Sequence, residues 1–277
     1  MLNFFLAKKK FHKTCFSTYL NNGKPLYPIV APLPDVIQFG LSNTCNLHCV
    51  FCHQHYPGSQ INNVRFTPEL FSLMKKTLPY IKEAAFHDSS EFFIDPKFSH
   101  IVKLCNKHKV AISLNTNGTY LPETHVTLLR KIKTQLNITI SLDATDKNTY
   151  LKLRRFSFEK TLKNAEILID IIKYKQNTLA STDKTHIISA FVIMKENIDQ
   201  AIDFLHLSKK MGFDQVQYYR LIQKDPCFNN NNFDFDYMEQ GPWNFKEKYN
   251  TIIDGLNRES KILNLHCLIP AKYPITS

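Results

Sequence analysis

From Asp35 onward the chain alternates short, β-rich apolar runs with longer stretches whose apolar residues recur at helical spacing. Residues 36–41 (VIQFGL) read as a first strand. Thr67 then offers a helix cap, Pro68 and Glu69 fill a first turn, and Leu70, Phe71, Met74 and Leu78 line one face. A second strand is expected at 83–86, and a helix after Asp95-Pro96 with Phe98, Ile101, Val102 and Cys105 on its apolar side. Residues 110–114 form a third strand that ends at Asn115-Thr116-Asn117-Gly118, a strand-to-loop signal. Pro122-Glu123 opens a helix expected to reach residue 133, and 136–142 alternates as a fourth strand. A helix over 158–175, a strand over 186–194, a helix over 199–211 stopped by Gly212, and a strand over 215–221 complete the pattern.

Six strands alternating with helices predict an α/β fold with a parallel sheet and helices on its outer face. Six units rather than eight predict an open, partial TIM barrel, (β/α)6, with its chemistry at the C-terminal ends of the strands. Beyond Leu221 the character changes to an asparagine run at Asn229–Asn232, one helix expected over 245–256, and a proline-containing tail from Cys267 with no clear element. The expected organisation is a basic N-terminal arm (1–34), a core (35–222) and an irregular C-terminal extension (223–277).

Composition narrows the classes. With 277 residues, 43% of them apolar, the chain can bury one large core, and 21% charged residues exclude wholesale disorder. No run is apolar enough for a membrane span. The arm carries Lys8, Lys9, Lys10, Lys13 and Lys24 with no acidic residue, and its apolar start is too short for a signal peptide. The net charge of +11 favours acidic partners, but the basic residues form no stripe interleaved with aromatics, which argues against nucleic acid.

The seven cysteines decide more. Cys45, Cys49 and Cys52 fall within eight residues, while Cys15, Cys105, Cys227 and Cys267 are scattered. This is not a secreted disulfide framework; it indicates a reducing, cytoplasmic compartment and a metal or cluster site. The C-x3-C-x2-C spacing directly after a strand suits three irons of a [4Fe-4S] cluster, leaving the fourth iron for a small molecule. A zinc site with His53 as the fourth ligand is the competing reading.

On that motif, with Phe51 just before its third cysteine, the chain resembles the radical S-adenosylmethionine superfamily over residues 36–222. The resemblance implies a [4Fe-4S] cluster on Cys45, Cys49 and Cys52, and S-adenosylmethionine chelating the open iron through its amino and carboxylate groups. It also implies reductive cleavage to a 5′-deoxyadenosyl radical. Ser90 and Glu91 stand where the family has Gly-Glu-Pro near the methionine amine, with Ser90 and Phe92 replacing Gly and Pro. Thr116, in the Thr-Asn-Gly turn, lies by implication near the cofactor. Ser141, in Ser-Leu-Asp, and Arg154 downstream match the branch of sulfatase-maturing and peptide-modifying enzymes, where such residues meet the ribose and the methionine carboxylate; a solvated helix end is the plain reading of Arg154. Ile193, on the fifth strand, is the candidate for the adenine.

Cys267-Leu268-Ile269-Pro270 resembles the start of the SPASM or twitch region of that branch, but the remaining cysteines are not grouped to hold an auxiliary cluster, and Cys105 belongs to the core. A natural short form and a chain lacking its C-terminal part both fit. The resemblance further implies a peptide or protein substrate and an electron donor such as flavodoxin or ferredoxin. His87 or Asp88 could meet substrate, and no catalytic side chain is assigned. The alternative is a catalytically degenerate relative that serves as a peptide- or enzyme-binding partner.

Overall fold

The computed structural model describes residues 34–52, 54, 66–87, 89–179, 185–221 and 235–274. Residues 1–33 of the N-terminal arm, with Cys15, and His53, Asp88, Cys227 and the asparagine run lie outside the described residues. Seven parallel strands form one open sheet in strictly sequential order: β1 (Val36–Gln38), β2 (Glu83–Phe86), β3 (Ala111–Thr116), β4 (Leu136–Ser141), β5 (His186–Ile193), β6 (Gln215–Arg220) and β7 (His266–Leu268). The connecting helices are α1 (Pro68–Thr77), α2 (Phe98–His108), α3 (Glu123–Arg130), α4 (Lys147–Arg154), α5 (Phe158–Thr178), α6 (Ala201–Met211), the single turn α7 (Tyr237–Gln240) and α8 (Lys246–Ile262).

Local chemistry sets the helix ends. Thr67 Oγ1 accepts the Leu70 N–H, Asp146 accepts those of Asn148 and Thr149, and Ser157 accepts that of Lys160, each satisfying a donor that a first helical turn leaves open. Gly212 ends α6 with φ of +96°, a conformation that a residue without Cβ adopts freely.

Successive side chains along each strand point to opposite faces of the sheet. Ser189 on β5 bonds to Ser208 on α6, and Tyr218 on β6 donates to the Ala201 carbonyl, so their parity faces the helices. That face carries Ile112, Leu114, Ile138, Ile140, Ile187, Phe191, Ile193 and Val216, all buried. Each such side chain contributes roughly 1.5–3 kcal/mol by leaving water. Cys105 on α2 lies in this core, as expected, and burial pushes its thiol up to about 12.

The opposite, concave face is different. Registered neighbours there are Ser113–Asn137, Asn115–Thr139–Ile188–Gln215 and Ser141–Ala190–Gln217. A closed barrel fills this space with branched apolar side chains; here uncharged polar groups dominate.

The C-terminal extension is less irregular than its composition suggests. Helix α8 runs to Ile262, past the expected 256, and the tail without an expected element supplies β7, which pairs with β6 at Gln215–His266, Val216–Cys267 and Gln217–Leu268. Three residues are too short a run to show alternation. Helix α4 was also not legible as an element, because Tyr150 and Leu153 are its only buried apolar residues; the Asp146 cap and the buried Arg154 fix it instead.

Candidate active site

The cysteine loop lies just past β1, at the C-terminal edge of the sheet. Cys49 is buried and Cys45 and Cys52 are partly so. The Cys52 N–H donates to the Cys49 carbonyl at 3.1 Å, which folds the Cys-x2-Cys segment into a turn. The Val50 N–H donates to the Leu153 carbonyl at 3.0 Å, fastening the loop to an otherwise open carbonyl near the end of α4.

Two donors reach the sulfurs. Asn117 Nδ2 lies 3.6 Å from Cys45 Sγ and 3.0 Å from Asn46 Oδ1, and Arg154 Nη1 lies 3.7 Å from Cys49 Sγ. Burial raises the Cys45 thiol, with smaller contributions from Glu91 and Cys49, against the Asn117 bond. Burial also raises Cys49, partly offset by the Arg154 charge. Both thiols therefore keep their protons at neutral pH in the metal-free chain, and taking up iron releases them.

The donor set fits an iron–sulfur cluster. Among the described residues no three or more His, Cys, Asp or Glu side chains are grouped closely enough to hold a single metal ion. Three thiols of one loop that sense one another electrostatically but do not close on one point suit a cluster, whose irons spread their ligands further apart. His48 faces solvent, and His53, the expected zinc ligand, is outside the described residues.

Glu91 organises the neighbouring loops. Only 2% exposed, it accepts from the Phe93 N–H at 3.1 Å, Thr116 Oγ1 at 2.8 Å and the Asn117 N–H at 2.6 Å. Burial pushes its carboxyl up to about 7, against the pull of these bonds. The carboxylate thus ties the loop after β2 to the turn after β3, which in turn carries Asn117 to Cys45. Phe92, standing where the family pattern has proline, stacks on Phe86 at 4.4 Å and packs edge-on against Phe98, so the loop rests on an aromatic floor. Ser90 is half-buried on the same loop.

Arg154 is no solvated helix end. It is 7% exposed, its Nε donates to Asp143 Oδ2 at 2.7 Å, its Nη2 binds the same oxygen, and its guanidinium lies 5.3 Å over the Phe51 ring. Burial works against its charge, but the Asp143 carboxylate more than offsets this and holds it cationic. Asp143 sits at φ +58°, unusual for a residue with a side chain. It is held there by the Val192 N–H on Oδ1 at 2.6 Å and by Asn197 Nδ2 on its carbonyl at 2.9 Å.

Sequence reasoning missed Asn117, Asp143 and Asn197 as site residues. The first two stood inside motifs already noted, Thr-Asn-Gly and Ser-Leu-Asp; Asn197 gave no signal. The structure brings together Cys45, Cys49, Cys52, Phe51, Glu91, Thr116 and Arg154. Ser141 lies on the concave face, half-buried. Ile193 stands apart: it is fully buried in the helix-facing core with Phe191. His87, which the sequence offers with Asp88 as a residue that could meet substrate, is exposed and bonds through Nε2 to Ser113 at 2.7 Å.

Residues 40–207 match the sequence profile of the Radical SAM superfamily. The chain belongs to this superfamily. Its members use a [4Fe-4S] cluster and S-adenosylmethionine. Over 146 residues the chain is 27% identical to the antilisterial bacteriocin subtilosin biosynthesis protein AlbA of Bacillus subtilis, covering 50% of this chain and 31% of AlbA. Over 181 residues it is 26% identical to a probable GTP 3′,8-cyclase of Methanocaldococcus jannaschii, covering 64% and 55%. Among solved structures it resembles Streptococcus suis SuiB bound to S-adenosylmethionine (TM-score 0.61, 14% identity, 87% of this chain and 51% of SuiB). It also resembles anSMEcpe with bound S-adenosylmethionine (TM-score 0.62, 17% identity, 84% and 61%). These structures share the fold of this radical S-adenosylmethionine chain, which spans about a third to three-fifths of the length of these relatives.

Proposed function

We propose that the chain is a radical S-adenosylmethionine enzyme that modifies a peptide or protein. The observation that carries this reading is the cysteine loop, with Asn117 and Arg154 on its sulfurs, at the C-terminal edge of the sheet whose concave face is lined by free, uncharged hydrogen-bonding groups. Asn115, Thr139, Ser141, Gln215 and Gln217 lie on that face, and among the described residues their side chains have no hydrogen-bond partner. Such groups suit the amide donors and acceptors of a peptide backbone, and AlbA, SuiB and anSMEcpe support the same class: AlbA serves bacteriocin biosynthesis, SuiB binds a precursor peptide, and anSMEcpe binds the Cp18Cys peptide.

Cys45, Cys49 and Cys52 would hold the cluster. Bound there, the cluster and S-adenosylmethionine supply one-electron cleavage to a 5′-deoxyadenosyl radical that abstracts a substrate hydrogen. The protein's part is positional. Glu91 and Thr116 lock the turn that carries Asn117 to Cys45, Phe51 packs beside Arg154, and Ser90 offers a hydroxyl at the rim of the β2 loop. Ser141, on the concave face, would meet a ribose hydroxyl in this reading. Val50, Leu153, Met194, Phe235 and Tyr237 form a small apolar cluster that shields the loop from water. An electron donor of the flavodoxin or ferredoxin type belongs to this reading.

The test is anaerobic loading with iron and sulfide, reduction, and measurement of 5′-deoxyadenosine, with Cys49→Ala as control. Cluster-dependent 5′-deoxyadenosine is expected. Zinc bound in place of iron overturns the reading. A second reading, a non-catalytic partner, is favoured by Ser90 and Phe92 at the Gly and Pro positions; a well-formed cluster without cleavage selects it.

A further inference from the structure

The Arg154–Asp143 pair has a geometry that cofactor binding alone does not explain. Both charges are buried, the carboxylate 1% exposed, and the two guanidinium nitrogens turned toward Asp143, Nε and Nη2, share one of its oxygens. The remaining nitrogen, Nη1, points at Cys49 Sγ, 3.7 Å away. Asp143 does not choose this position cheaply: it holds a left-handed backbone conformation, clamped by Val192 and by Asn197, which is itself buried and also bonds the Val192 carbonyl and the Met194 N–H. Two strand ends and a buried amide thus fix where one positive charge sits.

We propose that Arg154, aimed by Asp143, is a positioning residue that raises the reduction potential of the cluster through the Cys49 sulfur. The inference rests on the reading that these cysteines hold a [4Fe-4S] cluster. Adding an electron makes the cluster more negative, and hydrogen bonds to its sulfurs and nearby charge set its potential. A cation fixed against one thiolate in a dry setting favours the reduced form, and burial leaves it little screened by salt. Asp143 opposes this from further away: its carboxylate bonds the Nε and Nη2 side of the guanidinium, while Nη1 is the charged group that reaches Cys49 Sγ, 3.7 Å away. The pair therefore acts with the sign of its arginine.

The experiment is potentiometric titration of the loaded protein without S-adenosylmethionine, following the reduced cluster by its paramagnetic signal. Arg154→Gln is expected to lower the midpoint potential, and Arg154→Lys to recover part of it, because an ammonium keeps the charge but not the fork. Lys152→Gln is the control. Lys152 lies on the same helix with the same charge but is exposed and paired with Glu196, so its removal is expected to leave the potential in place. Where Arg154→Gln takes up no cluster because Asp143 is left unpaired, Asp143→Asn/Arg154→Gln removes both buried charges and is still expected to fall below wild type.

A wild-type potential in these loaded variants overturns the inference, as does an equal shift in Lys152→Gln. Loss of S-adenosylmethionine binding in Arg154→Gln with an unchanged cofactor-free potential overturns it too, and assigns the arginine to the methionine carboxylate. A wild-type chain that takes up no iron and sulfide defeats the functional reading itself, and this inference with it.

Discussion

Glu91 and Asn117 meet at 2.6 Å, carboxylate to backbone N–H, and this bond joins the loop after β2 to the turn that delivers an amide to Cys45. Glu91→Gln keeps the size but puts an amide N–H against one of the donors Phe93, Thr116 and Asn117. A buried unsatisfied donor costs about 1–3 kcal/mol, so chemical denaturation is expected to show a midpoint lowered by that amount, with iron uptake reduced in parallel.

The same carboxyl gives a pH dependence with a defined sign. It titrates at about 7 in the fold and at about 4.3 in an unfolded chain. Between those values the folded chain keeps a proton that the unfolded chain has shed. Its contribution is thus full below the unfolded value and is lost as pH rises through the folded one. Urea unfolding of the metal-free protein from pH 4.5 to 7.5 is expected to show this decline, and Glu91→Gln to flatten it. An equal slope in both proteins would assign it to other groups.

Asn117 is tied from several sides: its amide reaches Cys45 Sγ and Asn46, and its Oδ1 accepts from the Thr119 N–H at 2.9 Å and its hydroxyl at 2.6 Å. Asn117→Ala is expected to leave the sheet intact, by far-ultraviolet circular dichroism, while slowing cluster assembly and making the loaded cluster easier to lose to a chelator.

How much of this was legible in the sequence follows from what each feature depends on. The cysteine loop is a local spacing, β1 stands in the apolar run 36–41, and β2–β6 carry local apolar patterns, so all could be read directly. Asp143 to Val192, or Arg154 to Cys49, depends on strands brought side by side by the whole sheet, and no window of sequence contains both ends. Strand β7 exists because β6 offers it an edge; His266–Leu268 alone has no pattern to show. Phe92, which departs from the family pattern as a loop residue, makes sense as a core residue once Phe86 and Phe98 are beneath it.

Gly118 closes the turn after β3 with φ of +71°, and a Cβ there would come 3.2 Å from methyls of both Ile140 and Thr161. Strain and crowding add. Gly118→Ala is expected to cost roughly 1–3 kcal/mol, seen as a lower thermal midpoint, and to loosen Asn117 beside it. The same substitution at Gly212, where the new Cβ meets only Ile169 at 3.6 Å, is expected to cost less, since it carries the φ strain without the crowding.

Thr139 offers the sharpest division between fold and function on the concave face. It is 8% exposed, flanked in register by Asn115 and Ile188, and its hydroxyl has no hydrogen-bond partner among the described residues. Thr139→Val keeps the shape and strand preference and removes only the hydroxyl. With no internal bond to lose, stability is expected to stay within about 0.5 kcal/mol of wild type. If that hydroxyl serves a bound peptide, formation of 5′-deoxyadenosine without substrate persists, while the stimulation by substrate and the yield of modified peptide fall. The peptide side left with an unpaired polar group accounts for the loss, on the order of 1–3 kcal/mol, or about ten- to a hundredfold. Equal product yields from both proteins would remove this face from substrate recognition, and with it the structural support for a peptide over a small molecule.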